Sequence, residues 1–240
     1  MAAGGSRGAH ASAPAAPSCH APLDPPYGTR LKRATTPEMH PMSRPVLEFW
    51  FDFASTYSYP AMMRIDDCAE AAGIAVQYRP FLLGPIFKQQ GWDNSPFNLY
   101  AAKGRNMWRD LERVCAALDL PFTRPDPFPQ NSLLAARAAL VALADKWGES
   151  CCRAIYRAEF GDGRNIEKSD AIGEILKSLG QDANAVLERA QSTEIKSQLR
   201  EQTEEAQRLG IFGSPSFVTV GGELFWGNDR LEAALDWARR

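Results

Sequence analysis

Histidine is missing from everything after residue 40. The chain has 240 residues and three histidines, His10, His20 and His40. Ser-His-Asp and Cys-His catalysis and H-E-x-x-H zinc chemistry are therefore excluded from the part that carries apolar patterning. The C-x-x-C spacing is missing as well. The five cysteines are Cys19, Cys68, Cys115, Cys151 and Cys152, so neither a dithiol redox motif nor a zinc knuckle is written here, and no metal site is expected. Their odd number and helical contexts fit buried thiols in a reducing cytoplasm. No apolar run reaches the roughly 18 residues of a membrane helix, so no membrane partner is expected. An excess of positive charge is also lacking. With 27 Lys and Arg against 29 Asp and Glu the net charge is −2, which gives no footing for a nucleic-acid partner. Chemistry must run on hydroxyls, amides, carboxylates and amines, or on a bound cofactor.

What is present is 45% apolar and 23% charged, enough for one domain or a domain with a large insertion. Residues 1–44 are rich in Ala, Pro, Ser and Gly and are expected to form a disordered tail. They hold no signal-peptide core and no amphipathic period, and Met42 is a candidate start of translation. Residues 46–53 read as a strand. Leu47, Phe49, Phe51 and Phe53 alternate on one face and Val46 and Trp50 on the other, which marks a central, parallel strand. Residues 56–72 read as a helix stopped by Gly73, and residues 74–81 as a second strand in a right-handed β-α-β unit. From Trp92 to Leu209 the pattern is helical. Trp108, Leu111, Cys115 and Leu118 form one stripe, and Ile172, Ile175, Leu176 and Leu179 another. A hairpin follows at 217–220 and 223–226, turning at Gly221-Gly222. Asp229 and Glu232 have capping-box spacing for a last helix. The order predicts an α/β fold. One domain comprises residues 45–91 and 208–240, with residues 92–207 as an all-helical insertion.

Three segments carry candidate chemistry. Ser55, in the turn after the first strand, is placed to cap a helix, and a helix N-terminus stabilises an anion such as a thiolate. For a lone serine before a helix, a plain N-cap is the stronger reading. Pro60 argues for a kink or a slightly later helix start. The second segment is the Gly213-Ser214-Pro215 loop entering a strand. The third is Trp226-Gly227-Asn228-Asp229-Arg230 at the head of the last helix.

Taken together, "FDFASTYSY" (51–59), "RPFLLGPIFK" (79–88), "GIFGSPSFV" (210–218) and "FWGNDRL" (225–231) resemble the 2-hydroxychromene-2-carboxylate isomerases. These are relatives of the kappa-class glutathione transferases and of DsbA-like oxidoreductases. The resemblance runs from Val46 to the C-terminus. It implies a thioredoxin-like fold with the helical block inserted after the second strand, and glutathione as cofactor. Ser55 falls on the catalytic serine, and Ser58 on the second cysteine position of the redox relatives. Pro215 matches the cis-proline, and the Ser214 backbone is expected to pair with the cysteinyl part of glutathione. Trp226, Gly227, Asn228 and Asp229 match the segment that holds the γ-glutamyl end. Asn94 matches a glutathione-contacting asparagine if two residues are inserted, and Thr56 stands where the family often has proline. Arg79 and Lys88 are candidates for the substrate carboxylate, and Phe87, Trp92 and Trp108 for an apolar pocket.

The implied reaction is a glutathione-dependent cis–trans isomerisation of a small aromatic hydroxy-acid by a cytoplasmic enzyme. The relatives suggest a homodimer. A kappa-type transferase or peroxidase would use the same site, and a non-enzymatic thioredoxin-like binding module is the third reading. Thiol-disulfide exchange is disfavoured because neither Ser55 nor Ser58 can form a mixed disulfide.

Overall fold

The structure, a computed structural model, describes residues 44–240. The expected tail lies outside the described residues except for Arg44, as does Cys19. Strand β1 (Val46–Phe51) is the second of four in the order β2-β1-β3-β4. It pairs in parallel with β2 (Ala75–Pro80), with Val46 opposite Ala75 and Phe51 opposite Pro80. On its other side it pairs antiparallel with β3 (Ser216–Thr219), with Phe49 opposite Phe217. β3 continues into β4 (Leu224–Trp226) as a hairpin. The central position of β1 agrees with the sequence. Its parallel pairing holds on one side only.

Alternation along the strands sends successive side chains to opposite sheet faces. Leu47, Phe49, Phe51 and Phe217 enter one apolar cluster. Trp50 and Val218 enter a second, with Phe81, Ile86, Ala206 and Ile211. The first face is covered by α1 (Ser58–Ala72) and α10 (Leu231–Ala238), both of which contribute buried residues to that cluster. The second is covered by α2 (Leu83–Gln89) and α9 (Thr193–Arg208). α2 is a helix the sequence pattern did not suggest; it carries Gly84 and Pro85 in its first turn. Proline is tolerated in a first helical turn, where its missing N–H costs nothing.

Between α2 and α9 run α3 (Pro96–Leu99), α4 (Ala101–Ala117), α5 (Leu133–Ala144) and α6 (Gly148–Tyr156). A π-helical turn (Arg157–Gly161), α7 (Ser169–Ser178) and α8 (Ala183–Ala190) follow. The helical pattern expected over 92–209 is broken between α4 and α5, where Pro121, Pro125, Pro127 and Pro129 remove backbone donors. Of the first stripe, Trp108, Leu111 and Cys115 are buried, whereas Leu118 caps α4 and is exposed. α5 packs on α6, α8 and α9 and brings the helical block against the sheet.

Two terminal expectations are corrected. α1 begins at Ser58, its N-cap is Tyr57, and no side chain caps it. Ser55 is therefore not the cap. Pro60 cannot donate in the first turn, and the chain enters the helix through a turn at Thr56-Tyr57. Nor does the Asp229–Glu232 capping box form. A 3-10 turn (Asn228–Arg230) precedes α10, whose N-cap is Arg230 without a side-chain bond. Glu232 is drawn instead to Arg64. Among the described residues no helix is long and apolar enough to cross a membrane.

Candidate functional site

The C-terminal end of β1, the start of α1 and the loop before β3 meet at the floor of a cleft of about 1090 Å³. Ser55 is buried there, and its Oγ donates to the Ser214 carbonyl oxygen at 2.7 Å. The Ser214–Pro215 peptide is cis. Ser214 Oγ in turn accepts from the Asp52 amide at 3.0 Å and shares a 2.7 Å hydrogen bond with Ser58 Oγ. The two cysteine-position serines are thus both tied to Ser214, one through its carbonyl and one through its hydroxyl. The Ser214 carbonyl, part of the backbone expected to meet glutathione, accepts one hydrogen bond from Ser55 and keeps a second lone pair.

Asp52 is the residue that the sequence did not single out. It is 3% exposed. Its Oδ1 accepts from the Ala54 amide at 3.0 Å and from Ser132 Oγ at 2.6 Å, and its Oδ2 from the Leu83 amide at 2.6 Å. Its carbonyl accepts from the Tyr156 hydroxyl at 2.8 Å. One residue thus fixes the starts of α2 and α5, the end of α6 and the cis-proline loop around the cleft floor. Burial pushes the Asp52 carboxyl above the ordinary carboxylate range, and the bonds from Leu83, Ser132 and Ala54 pull it back only in part.

The third segment forms a rim. The Gly227 amide donates to the Pro215 carbonyl at 3.0 Å, so the rim is tied to the cis-proline loop. Gly227 has φ +110°, and a Cβ there would meet Asp229 Oδ1 at 2.6 Å, so only glycine fits the turn. Trp226 is half exposed beside Phe212, ring centroids 5.0 Å apart. Asn228, Asp229 and Arg230 also line the cleft. The Asp229 carboxylate is largely exposed, 3.4 Å from the Arg230 guanidinium.

Asn94 lines the opposite side. Its Oδ1 accepts from the Ser95 amide at 2.7 Å and from Asn98 Nδ2 at 3.2 Å. Phe87 and Trp92 lie in the wall with Phe128 and Leu133. Trp108 does not. It packs edge-on against Phe128 and under the Arg124 guanidinium, away from the cleft. The two cations expected for a substrate carboxylate are likewise elsewhere. Arg79 bonds Glu48 at 2.8 Å and stacks over Trp50, and Lys88 is not among the lining residues. The cations that do face the cleft are Lys103, on α4, and Arg230. Lys103 stood in a stretch of sequence indistinguishable from a solvated helix face.

The described cysteines are unpaired. Burial pushes Cys115 up to about 11 and Cys151 up to about 12, and raises Cys152 and Cys68 as well. None is a thiolate at neutral pH. Among the described residues no three His, Cys, Asp or Glu side chains cluster as metal ligands would.

The family profile of the DSBA-like thioredoxin domain matches residues 46–236. A 2-hydroxychromene-2-carboxylate isomerase of Sphingobium xenophagum is 31% identical over 78% of this chain and 94% of its own length. Glutathione S-transferase kappa 1 of Homo sapiens is 30% identical over 81% of this chain and 90% of its own. A solved 2-hydroxychromene-2-carboxylate isomerase superposes with a TM-score of 0.73 at 25% identity, covering 81% of this chain and 96% of that one.

Proposed function

The chain belongs to the DSBA-like thioredoxin family, alongside the 2-hydroxychromene-2-carboxylate isomerases, and on that footing we propose that it is a glutathione-dependent isomerase of 2-hydroxychromene-2-carboxylate type. The observation that carries this reading is the Ser55–Ser214 pair at the floor of a cleft whose rim holds Asn228 and Asp229. Burial raises all four described thiols, and Cys115, Cys151 and Cys152 are closed off from the cleft, which supports a thiol nucleophile brought by a bound molecule. When bound, glutathione supplies a thiolate for reversible addition to a conjugated carbon–carbon double bond.

The residues fit such a tripeptide. Asp229 offers a carboxylate for an ammonium, and Lys103 and Arg230 offer cations for carboxylates. The Ser55 hydroxyl has two lone pairs to accept an S–H while its proton rests on the Ser214 carbonyl. Rotation about Cβ–Oγ turns that proton onto a thiolate, and a hydrogen bond to the charged form lowers the thiol pKa. The wall of Phe87, Trp92, Phe128 and Leu133 suits a planar aromatic acid. At about 1090 Å³ the cleft is slightly above the usual range of about 300–1000 Å³ for a small-molecule site, with room for a second molecule. We read the protein as cytoplasmic, since its four described cysteines are all unpaired.

The test is calorimetry with glutathione, followed by an ultraviolet assay with 2-hydroxychromene-2-carboxylate. Expected are a dissociation constant in the micromolar to millimolar range, roughly −4 to −8 kcal/mol, and ring opening only when glutathione is present. No heat at saturating glutathione would remove the cofactor. Binding with conjugation to an activated aryl halide but no isomerisation would favour the kappa-type transferase, the reading suggested by the human relative. Binding without either reaction would leave a non-enzymatic module.

A further inference from the structure

Asn228 is gripped from behind by a residue of α1. Arg64 donates from Nε to Asn228 Oδ1 at 3.1 Å and from Nη2 to the Asn228 carbonyl oxygen at 2.6 Å. Its guanidinium is itself held by the Glu232 carboxylate, with Nη2 3.3 Å from Oε2 and Nη1 paired to Oε1. The Arg64 side chain is 19% exposed, so its charge sits against protein rather than in open solvent. Both oxygens of Asn228 accept from Arg64, and the backbone oxygen accepts from the Leu231 amide as well. An amide whose oxygen is fixed in this way has its Nδ2 turned to the other side, which settles the flip. What Asn228 turns away from Arg64 is its Nδ2 with two N–H donors. A carboxylate is the acceptor that bonds such donors most strongly, because it is charged.

We propose that Arg64 is a positioning residue that aims the Asn228 Nδ2 donors at a carboxylate, and so sets the affinity for the γ-glutamyl end of glutathione. The inference rests on the function proposed above and deepens it. Arg64 is not among the residues that line the cleft; it acts through Asn228. Replacing it frees Asn228 Oδ1 and lets the amide flip, so that an acceptor can face the carboxylate in place of the donors. Lysine has one compact ammonium in place of the planar fork and cannot hold both oxygens and Glu232 in the same way.

The experiment titrates the full chain by calorimetry with two probes, glutathione and the dipeptide cysteinylglycine, which lacks the γ-glutamyl group. The wild type should favour glutathione by about tenfold or more. Arg64→Ala should cut that preference by about tenfold while leaving the dipeptide affinity within about twofold. Arg64→Lys should fall between. Hydrogen exchange of the amides at 227–230 in the ligand-free protein should quicken in Arg64→Ala. A general loss of folding would weaken both probes together and so is separable from the positioning effect, and Arg64→Lys keeps the test alive if alanine is not tolerated. A wild type that prefers glutathione, with a variant that keeps the preference, overturns the role of Arg64. A wild type that binds neither probe overturns the proposed function instead. Unchanged exchange at 227–230 then overturns the hold of Arg64 on the rim as well.

Discussion

The Ser55 hydroxyl gives its proton to the carbonyl oxygen of Ser214, 159 residues further along the chain, at 2.7 Å. Together with the bond from the Asp52 amide to Ser214 Oγ, this bond joins the turn after β1 to the cis-proline loop. It also means that in the ligand-free protein the catalytic candidate is already a donor, committed to the backbone. Use of that proton on a bound sulfur requires the bond to Ser214 to be exchanged rather than a new one made. The exchange is nearly balanced, so Ser55 contributes where charge develops on sulfur more than where the neutral thiol binds.

Ser55→Ala should therefore lower turnover far more than it weakens glutathione binding. Loss of one hydrogen bond to a charged group costs about 1.5–3 kcal/mol, roughly 10- to 150-fold in rate. The dissociation constant should move by less than about threefold. The thiolate absorbance of the bound glutathione, followed against pH, should shift to higher pH in the variant. Wild-type rates in Ser55→Ala would leave Ser55 as a tether for the cis-proline loop and nothing more.

Asp52→Ala should destabilise the fold by about 3 kcal/mol or more. Three donors (the Ala54 and Leu83 amides and the Ser132 hydroxyl) lose their acceptor at the buried floor of the cleft, at about 1–3 kcal/mol for each group left unpaired. In a domain of this size each kcal/mol lowers the melting temperature by about 2–4 °C. Ser132→Ala, which removes one of the three, should cost about a third as much. A denaturation midpoint for Asp52→Ala equal to that of the wild type would mean that the starts of α2 and α5 are held by other contacts.

The contrast between Ser55 and Asp52 explains what was legible in the sequence. Ser55, Pro215 and the Gly227–Asp229 rim lie in short segments whose order along the chain is itself the signal. Asp52 has no local signature. Its partners Leu83, Ser132, Tyr156 and Ser214 stand 31, 80, 104 and 162 residues away, and no periodicity connects them. Arg64 and Lys103 were hidden for a different reason, because a cation on a helix reads as a solvated face until tertiary packing turns it inward. The alternation of Leu47, Phe49 and Phe51 against Trp50 was readable, since a strand buried on both faces must be apolar at both parities. The start of α1 was misread because a serine before a helix is usually its cap, and here a buried carbonyl took the hydroxyl instead.

Glu159 lies fully buried in the π-helical turn, and neither carboxyl oxygen has a hydrogen-bond partner. Burial, with smaller contributions from the negative charges of Asp52 and Glu167, raises its carboxyl well above the ordinary range. The folded state therefore holds the proton more tightly than the unfolded chain. Stability from this group is complete below the unfolded carboxylate value of about 4.3 and is lost as pH rises towards the folded value. Glu159→Met, of similar length and without the unpaired oxygens, should raise the melting temperature at pH 8, where about 1–3 kcal/mol is recovered. The gain should shrink as pH falls towards about 4.3. Melting curves across that range decide it. A gain that grows on acidification would mean that Glu159 is ionised and paired.

Gly213→Ala should disturb the rim through Trp226. A Cβ at Gly213 would fall 2.3 Å from the indole Nε1 and 3.0 Å from Cε2, far inside van der Waals contact. The Gly213 carbonyl accepts from Ser216 Oγ at 2.9 Å, so the backbone at this point is anchored into β3 and does not give easily. The indole is the movable partner. It is 51% exposed and leans on Phe212, itself half exposed. Alanine should thus swing Trp226 away from Phe212 and drag the adjoining Gly227 from its bond to the Pro215 carbonyl. The expected readouts are a red-shifted tryptophan emission in the ligand-free protein and a weaker affinity for glutathione. A double-mutant cycle isolates the cause. In a Trp226→Leu background the clash is gone, and Gly213→Ala should then be close to neutral, giving a coupling above about 0.5 kcal/mol between the two sites. If the two substitutions simply add, the indole is not what glycine makes room for, and the rim is held by the Gly227 turn alone.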